Sequence, residues 1–330
     1  MTDGTEQGLA EVLGSSADDR AMLEEVIAGL RLGEKRISSK FHYDETGSEL
    51  FEEITRLEEY YPTRTERALL ESTMPLWVGE LRPATLVELG AGNAEKSRII
   101  LDAMVAAGSA QVYVPVDVSH DFLQVSARKL RDEYPGIEIS PAVADITAPI
   151  RLPPDLAHPR WIAFLGSTLG NFEEEEAVEL LSRVRARLED GDHFLLGVDL
   201  RPGPHKTAER IELAYNDAPG VTARFSLNVL AVLNDQVGSD FDVASFRHRA
   251  FYNSEAGRIE TYLDSLADQV VRFPNGIEIS IAAGESIRTE ISCKYDRPTI
   301  DELFDRAGMV VDRWLEDECA YYALVLGSAA

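Results

Sequence analysis

The run Thr85-Leu-Val-Glu-Leu-Gly-Ala-Gly-Asn-Ala-Glu-Lys96 holds the first residues that point to chemistry: an apolar strand pattern ends on an acid, passes through Gly90-x-Gly92 and turns into a helix. A strand that stops at such glycines leaves backbone N–H groups bare at a helix N-terminus and lets a cofactor approach without meeting a Cβ. A dinucleotide loop would carry a third small residue three positions after Gly92, where this chain has Glu95. Asp117, closing a later strand pattern, can accept hydrogen bonds from two ribose hydroxyls; its ordinary reading is a turn-forming Asp. Asp145 can accept from an adenine amino group, with Ile146 packing on the ring. In Phe164-Leu-Gly-Ser-Thr-Leu-Gly-Asn171, two glycines permit close backbone approach and Asn171 can both donate and accept. Its spacing to Glu174 suits a plain helix N-cap equally well.

An open parallel sheet would bring these residues together, because its ligands bind outside the carboxyl ends of the strands. From Leu86 onward strand and helix patterns do alternate, with strands near 85–90, 111–117, 137–143, 161–167 and 193–199 and helices at about 94–107, 120–133 and 174–189. The acidic run 173–176 supplies favourable charge at a helix N-terminus. Upstream, residues 18–30 repeat apolar side chains on one helix face, and 48–57 reads as a second helix. Thr63 and Glu66 have capping-box spacing for a helix running to about Trp77, and the loop Lys40-Phe-His-Tyr-Asp44 reads as one with exposed aromatics.

Past Asp199 the rhythm breaks. Residues 207–216, carrying Tyr215, read as a helix, and 259–263, 270–273, 278–281 and 289–294 as antiparallel strands with Asn275-Gly276 as a hairpin turn. Thr299-x-x-Glu302 has capping-box spacing for a last helix, followed by strands 309–314 and 321–326. The expected fold class is α/β: a Rossmann-like domain of residues 64–202 plus 295–330, split by an α+β unit of residues 1–63 plus 203–294.

Composition narrows the partners. Apolar content of 45% and charged content of 27% are those of a soluble globular protein, and 330 residues suffice for one large domain or two ordinary ones. A formal charge of −26 argues against nucleic acid or an anionic membrane surface and leaves a small molecule. Cys293 and Cys319 have no metal-ligand spacing, so neither a metal nor a structural disulfide is expected. With no secretion signal and no apolar run of about 20 residues, a cytoplasmic protein is expected, with a monomer as the default.

The Gly90 loop resembles motif I of Rossmann-like S-adenosylmethionine (SAM) methyltransferases, E/D-x-G-x-G. Five motifs in order carry a more specific likeness: Phe41-x-Tyr-Asp44 with Gly47-Ser48, Glu59-Tyr-Tyr-Pro-Thr-Arg-Thr-Glu66, Val87-Glu-Leu-Gly-x-Gly92, Phe164-Leu-Gly-Ser-Thr-x-Gly-Asn171 and Thr289-Glu-x-Ser-Cys-Lys294. Together they resemble the L-histidine Nα-methyltransferases of ergothioneine biosynthesis over roughly residues 40 to 326. The resemblance implies a class I SAM-dependent enzyme that trimethylates the α-amino group of free L-histidine to hercynine, with histidine between the two units.

By the same resemblance SAM lies on Gly90, Lys96, Asp117, Asp145 and Ile146, with Lys96 reaching the SAM carboxylate. The resemblance further implies that Asn171 and Tyr215 hold the substrate's carboxylate and amine region and that Tyr60 lines the pocket; Tyr43 is the remaining polar candidate near the amine, able to steer its proton directly or through water. Glu290 and Ser292 hydrogen-bond the imidazole nitrogens. Being two apart on a strand they share a face; the carboxylate accepts an N–H, and the hydroxyl can donate or accept. At Thr261 the family often has a larger apolar residue near the ring, so a wider pocket and another aromatic amino acid, Trp or Tyr, remain an alternative.

Overall fold

The computed structural model describes residues 16–330 apart from 119, 145, 147–151 and 154. Its main sheet has the strand order Met309–Glu316, Tyr322–Ala329, His193–Asp199, Arg160–Phe164, Thr85–Leu89, Val112–Asp117 and Glu138–Ile139, with Ala142–Val143 also on Val112–Asp117. The strands from Thr85 to Asp199 pair in parallel and the last two antiparallel. The expected strand at 137–143 is thus two short pieces, and the one at 161–167 ends at Phe164.

Strand Thr85–Leu89 is buried throughout because both faces are covered. On one face Leu86 packs with Leu70, Met74 and Trp77 of helix Tyr61–Leu81 and with Ile100 and Met104 of helix Glu95–Ala107. On the other, Val87 and Leu89 pack with Leu180, Val184, Leu303 and Phe304 from helices Glu174–Arg185 and Arg297–Arg306. Strand order reverses beside Thr85–Leu89, so the loops after Leu89 and Phe164 flank the crevice where such sheets bind ligands.

A second, four-stranded sheet has the order Lys35–Arg36, Ser286–Cys293, Arg258–Ser265 and Phe246–Asn253, and the Asn275-Gly276 turn joins the hairpin Gln269–Arg272 and Glu278–Ile281. Helix Val221–Gln236, not anticipated from the sequence, buries Phe225, Val229, Leu230 and Leu233. Asp217 caps it, accepting from the Val221 and Thr222 N–H groups at 2.7 and 2.8 Å. Its apolar spacing was a usable signal. Strand Phe246–Asn253 was missed because its burial follows no clean alternation.

Three local readings need correction. Phe41 and His42 are buried, His42 completely and stacked on Phe225 at 4.8 Å, so that loop is core. The last helix is capped by Asp296, which accepts from the Thr299 N–H at 2.9 Å. Helix Tyr61–Leu81 begins ahead of Thr63, and Glu66 caps nothing. Instead its fully buried carboxylate accepts from the Gly166 N–H at 2.8 Å and from the Tyr322 hydroxyl at 2.8 Å, and pairs with Lys96 at 2.5 Å.

Removing one member of such a cluster leaves an uncompensated charge, at a cost of about 3–5 kcal/mol. Glu66→Ala is therefore expected to lower the urea-unfolding free energy by about that amount. A loss below about 1 kcal/mol would mean that the cluster contributes little.

Candidate active site

A single cavity of about 890 Å³ opens at the crevice and is lined by Gly90, Gly92, Lys96, Asp117 and Ile146 at one end and by Tyr43, Tyr60, Tyr215, Glu290 and Ser292 at the other. Asn171 lines it too. Asp145 lies outside the described residues.

At the first end, Gly90 and Gly92 have φ of 71° and 50°, and nothing lies within 4 Å of where their Cβ atoms would be. Glycine serves shape here, since that backbone region penalises other residues and the space in front is open. The N–H groups are not bare as expected. Gly90 and Ala91 donate to the Val116 carbonyl at 2.8 and 3.0 Å, Gly92 donates to the Asp117 carboxylate at 2.9 Å, and Glu95 donates to Asn93 Oδ1 at 3.1 Å. A pyrophosphate would need those donors; a sulfonium nucleoside, which has no phosphate, does not. The half-buried Asp117 lies on the cavity wall beside Gly92, and Val118, 47% exposed, adds to Ile146 an apolar stretch of that wall. These residues fit SAM. Lys96 lies on the wall with its charge already paired to Glu66, which weakens the idea that it alone holds the SAM carboxylate.

Asn171 ends a short 3₁₀ turn, Thr168–Asn171. The N-cap of the next helix is Glu173, in a capping box with Glu176, so the capping alternative for Asn171 is excluded. Gly166 and Ser167, before the turn, both have positive φ, 79° and 57°. For Ser167 this is strained backbone, held where its hydroxyl accepts the Asp199 N–H at 2.9 Å. Gly170 permits close approach not of a ligand but of strand Ser286–Cys293: a Cβ there would lie 2.8 Å from the Cys293 carbonyl oxygen.

At the far end edge-to-face aromatic pairs run from Tyr43 through Phe51 and Tyr60 to Tyr215, with centroids 5.8, 6.2 and 6.3 Å apart. Burial, with Glu290, Tyr215 and Asp117 adding to it, raises the Tyr43 phenol well above its usual range. A bulge at Thr289, between the pairs Arg288–Tyr262 and Glu290–Thr261, sets the facing of the strand that carries Glu290 and Ser292. The Glu290 carboxylate has no hydrogen-bond or ion-pair partner among the described residues, and burial pushes it up to about 7, Lys294 pulling the other way. Thr261, expected beside the substrate ring, pairs in register with Glu290; it is completely buried and not among the cavity-lining residues.

The residues that the sequence reading missed lie behind Ser292. Tyr215 donates to Ser292 Oγ at 2.8 Å, and Lys294 Nζ donates to both, at 3.0 and 2.8 Å. Lys294 pairs with Asp199 at 2.8 Å, and Lys206 with the other Asp199 oxygen at 2.8 Å. Asp199 and both lysines are buried, and the Tyr61 hydroxyl bonds to Asp199 at 2.9 Å. Burial alone would raise the Asp199 carboxyl; Lys294 and Lys206 outweigh it and hold it below the usual range. Lys294 ends a quoted motif, but no local signal pairs it with Asp199.

The sequence model of a family described as "Histidine-specific methyltransferase, SAM-dependent" matches residues 22–329. The histidine N-alpha-methyltransferase of Mycolicibacterium smegmatis is 39% identical over 96% of this chain and 98% of its own length. That of Mycobacterium tuberculosis is 38% identical over 97% and 98%. The structure of the CcbJ methyltransferase from Streptomyces caelestis aligns at a TM-score of 0.51 and 15% identity, covering 89% of this chain and 100% of that one, a likeness of fold alone. The expected fold class, a Rossmann-like class I SAM-dependent methyltransferase, stands. With the cavity's two ends and a family match across nearly its whole length, the chain belongs to the histidine-specific, SAM-dependent methyltransferases.

Proposed function

We propose that this enzyme trimethylates the α-amino group of free L-histidine to hercynine, acting as a cytoplasmic monomer in ergothioneine biosynthesis. One observation carries the reading: the cavity that begins at Gly90 and Asp117 ends on Glu290, a carboxylate with no partner among the described residues, beside the Ser292 hydroxyl. The sheet around Gly90, residues 64–202 plus 295–330, is proposed as the SAM-binding unit. Residues 1–63 plus 203–294 are proposed to bind substrate.

SAM supplies a methyl group on a sulfonium, open to in-line displacement by a neutral amine. The chain's own residues present that amine. Glu290 and Ser292 fix the imidazole, while Asn171 and Tyr215 hold the carboxylate and amine region with Tyr60 beside them. Such fixing replaces a bimolecular encounter by a held geometry. A free amino acid is mostly ammonium near neutral pH, so a proton must leave before each transfer. The Tyr43 phenol stays neutral and so acts as a relay: as its oxygen takes the amine's proton, its own hydroxyl proton leaves to water.

Incubation of the protein with SAM and each free amino acid, read by product mass, tests the assignment. Histidine should gain three methyl groups; gain on Trp or Tyr with none on histidine would replace it. Glu290→Ala should raise the Michaelis constant for histidine by at least about tenfold with little change for SAM. Asp117→Ala should do the reverse, and equal effects on both ligands would make either residue structural.

Glu290 also carries a pH signature. Its pKa is higher in the folded chain than the ordinary 4.5, so the folded state loses stability as pH rises from there through about 7. Glu290→Gln removes that charge. It should stabilise the ligand-free protein by roughly 1–3 kcal/mol at about pH 8, and progressively less toward about pH 4, where thermal unfolding of the two proteins should coincide. An unchanged melting temperature at the higher pH would mean that the carboxylate is solvated.

A further inference from the structure

We propose that Lys294 is a specificity-positioning residue: held by Asp199, it fixes the Ser292 hydroxyl as a hydrogen-bond donor into the cavity, so that the site reads a ring nitrogen lone pair there. The inference rests on the histidine reading above and deepens it.

The argument is an accounting of hydrogens. An ammonium has three N–H donors and no acceptor, whereas each hydroxyl has one donor and two acceptor positions. Lys294 Nζ has three partners, Asp199 at 2.8 Å, Ser292 at 2.8 Å and Tyr215 at 3.0 Å, so its donors are all spent. It cannot turn away, because Asp199 is itself held by Lys206 and by the Tyr61 hydroxyl. Ser292 Oγ therefore accepts from Lys294, and it also accepts from the Tyr215 hydroxyl at 2.8 Å. Both acceptor positions of Ser292 are filled. Its own hydrogen is left over, and Ser292 lines the cavity.

A serine alone is ambidextrous; this one is not. Next to it on the same face, Glu290 when ionised is an acceptor and not a donor. The charge of Lys294 favours that form by opposing the effect of burial. Donor plus acceptor matches neutral imidazole, which has one bare nitrogen and one N–H. Indole offers the N–H alone and leaves the Ser292 hydrogen unpaired, which is how a polar site rejects a near-isostere.

Two histidine analogues test this, 3-(pyrrol-2-yl)alanine and 3-(pyrrol-3-yl)alanine. Each keeps one ring N–H and replaces the other nitrogen by CH. The wild type should prefer histidine over the better pyrrole by at least about 30-fold in kcat/KM. Lys294→Met and Ser292→Ala should reduce that preference to within about threefold, by raising the KM for histidine and not for the pyrroles. Retention of the full preference in a folded Lys294→Met protein, or in Ser292→Ala, would overturn the assignment; the second result stands even if Lys294→Met does not fold. A wild type that turns over histidine without preferring it overturns the assignment alone. A wild type inactive on histidine overturns the function beneath it as well.

Discussion

Asp199 with its two lysines is the constraint on which the substrate end of this molecule depends. One carboxylate and two ammonium groups lie out of water at the carboxyl end of strand His193–Asp199, bridged by 2.8 Å contacts. Burying ions costs several kcal/mol each unless every donor and acceptor is met. Here the requirement fixes Lys206 and Tyr61 on one side, and Lys294, with Ser292 and Tyr215, on the other. The second lysine leaves an excess positive charge, and Glu290 is the carboxylate that feels it.

Three carboxylates near the cavity show how partners separate roles. Glu66 has an ammonium, a backbone N–H and a phenol, and it holds helix Tyr61–Leu81 to the loop after Phe164. Burial pushes Glu88 up to about 7 although the Ser97 and Tyr113 hydroxyls donate to it. Glu290 is pushed up as far with no hydrogen bond among the described residues.

The seam between the two sheets is built with equal economy of means. Glu173, the cap of helix Glu174–Arg185, receives Arg258 at 2.7 Å and Arg288 at 2.8 Å from neighbouring strands of the second sheet. Gly170 lets the Thr168–Asn171 turn sit against Cys293. Together they hold Asn171 and Glu290 on one cavity.

Much of this was legible in the chain itself. Alternating strand and helix patterns, the Gly90 loop, the Asn275-Gly276 hairpin and the shared face of Glu290 and Ser292 depend on periodicity and turn chemistry, which act over a few residues. What failed were readings that assigned a polar side chain a local partner. Glu66 and Thr299 had capping-box spacing, yet Glu66 met Gly166, 100 residues away, and Asp296 took the cap. Thr261, placed near the ring by resemblance, lies completely buried directly opposite Glu290, beside a bulge that no pattern announces. The sequence by itself determined the sheet, its glycine exit and the residue types that meet a ligand. Only the tertiary structure decided that Lys294 belongs to Asp199 and Ser292, because a buried charge takes its partner from whichever strand end folding brings within 3 Å.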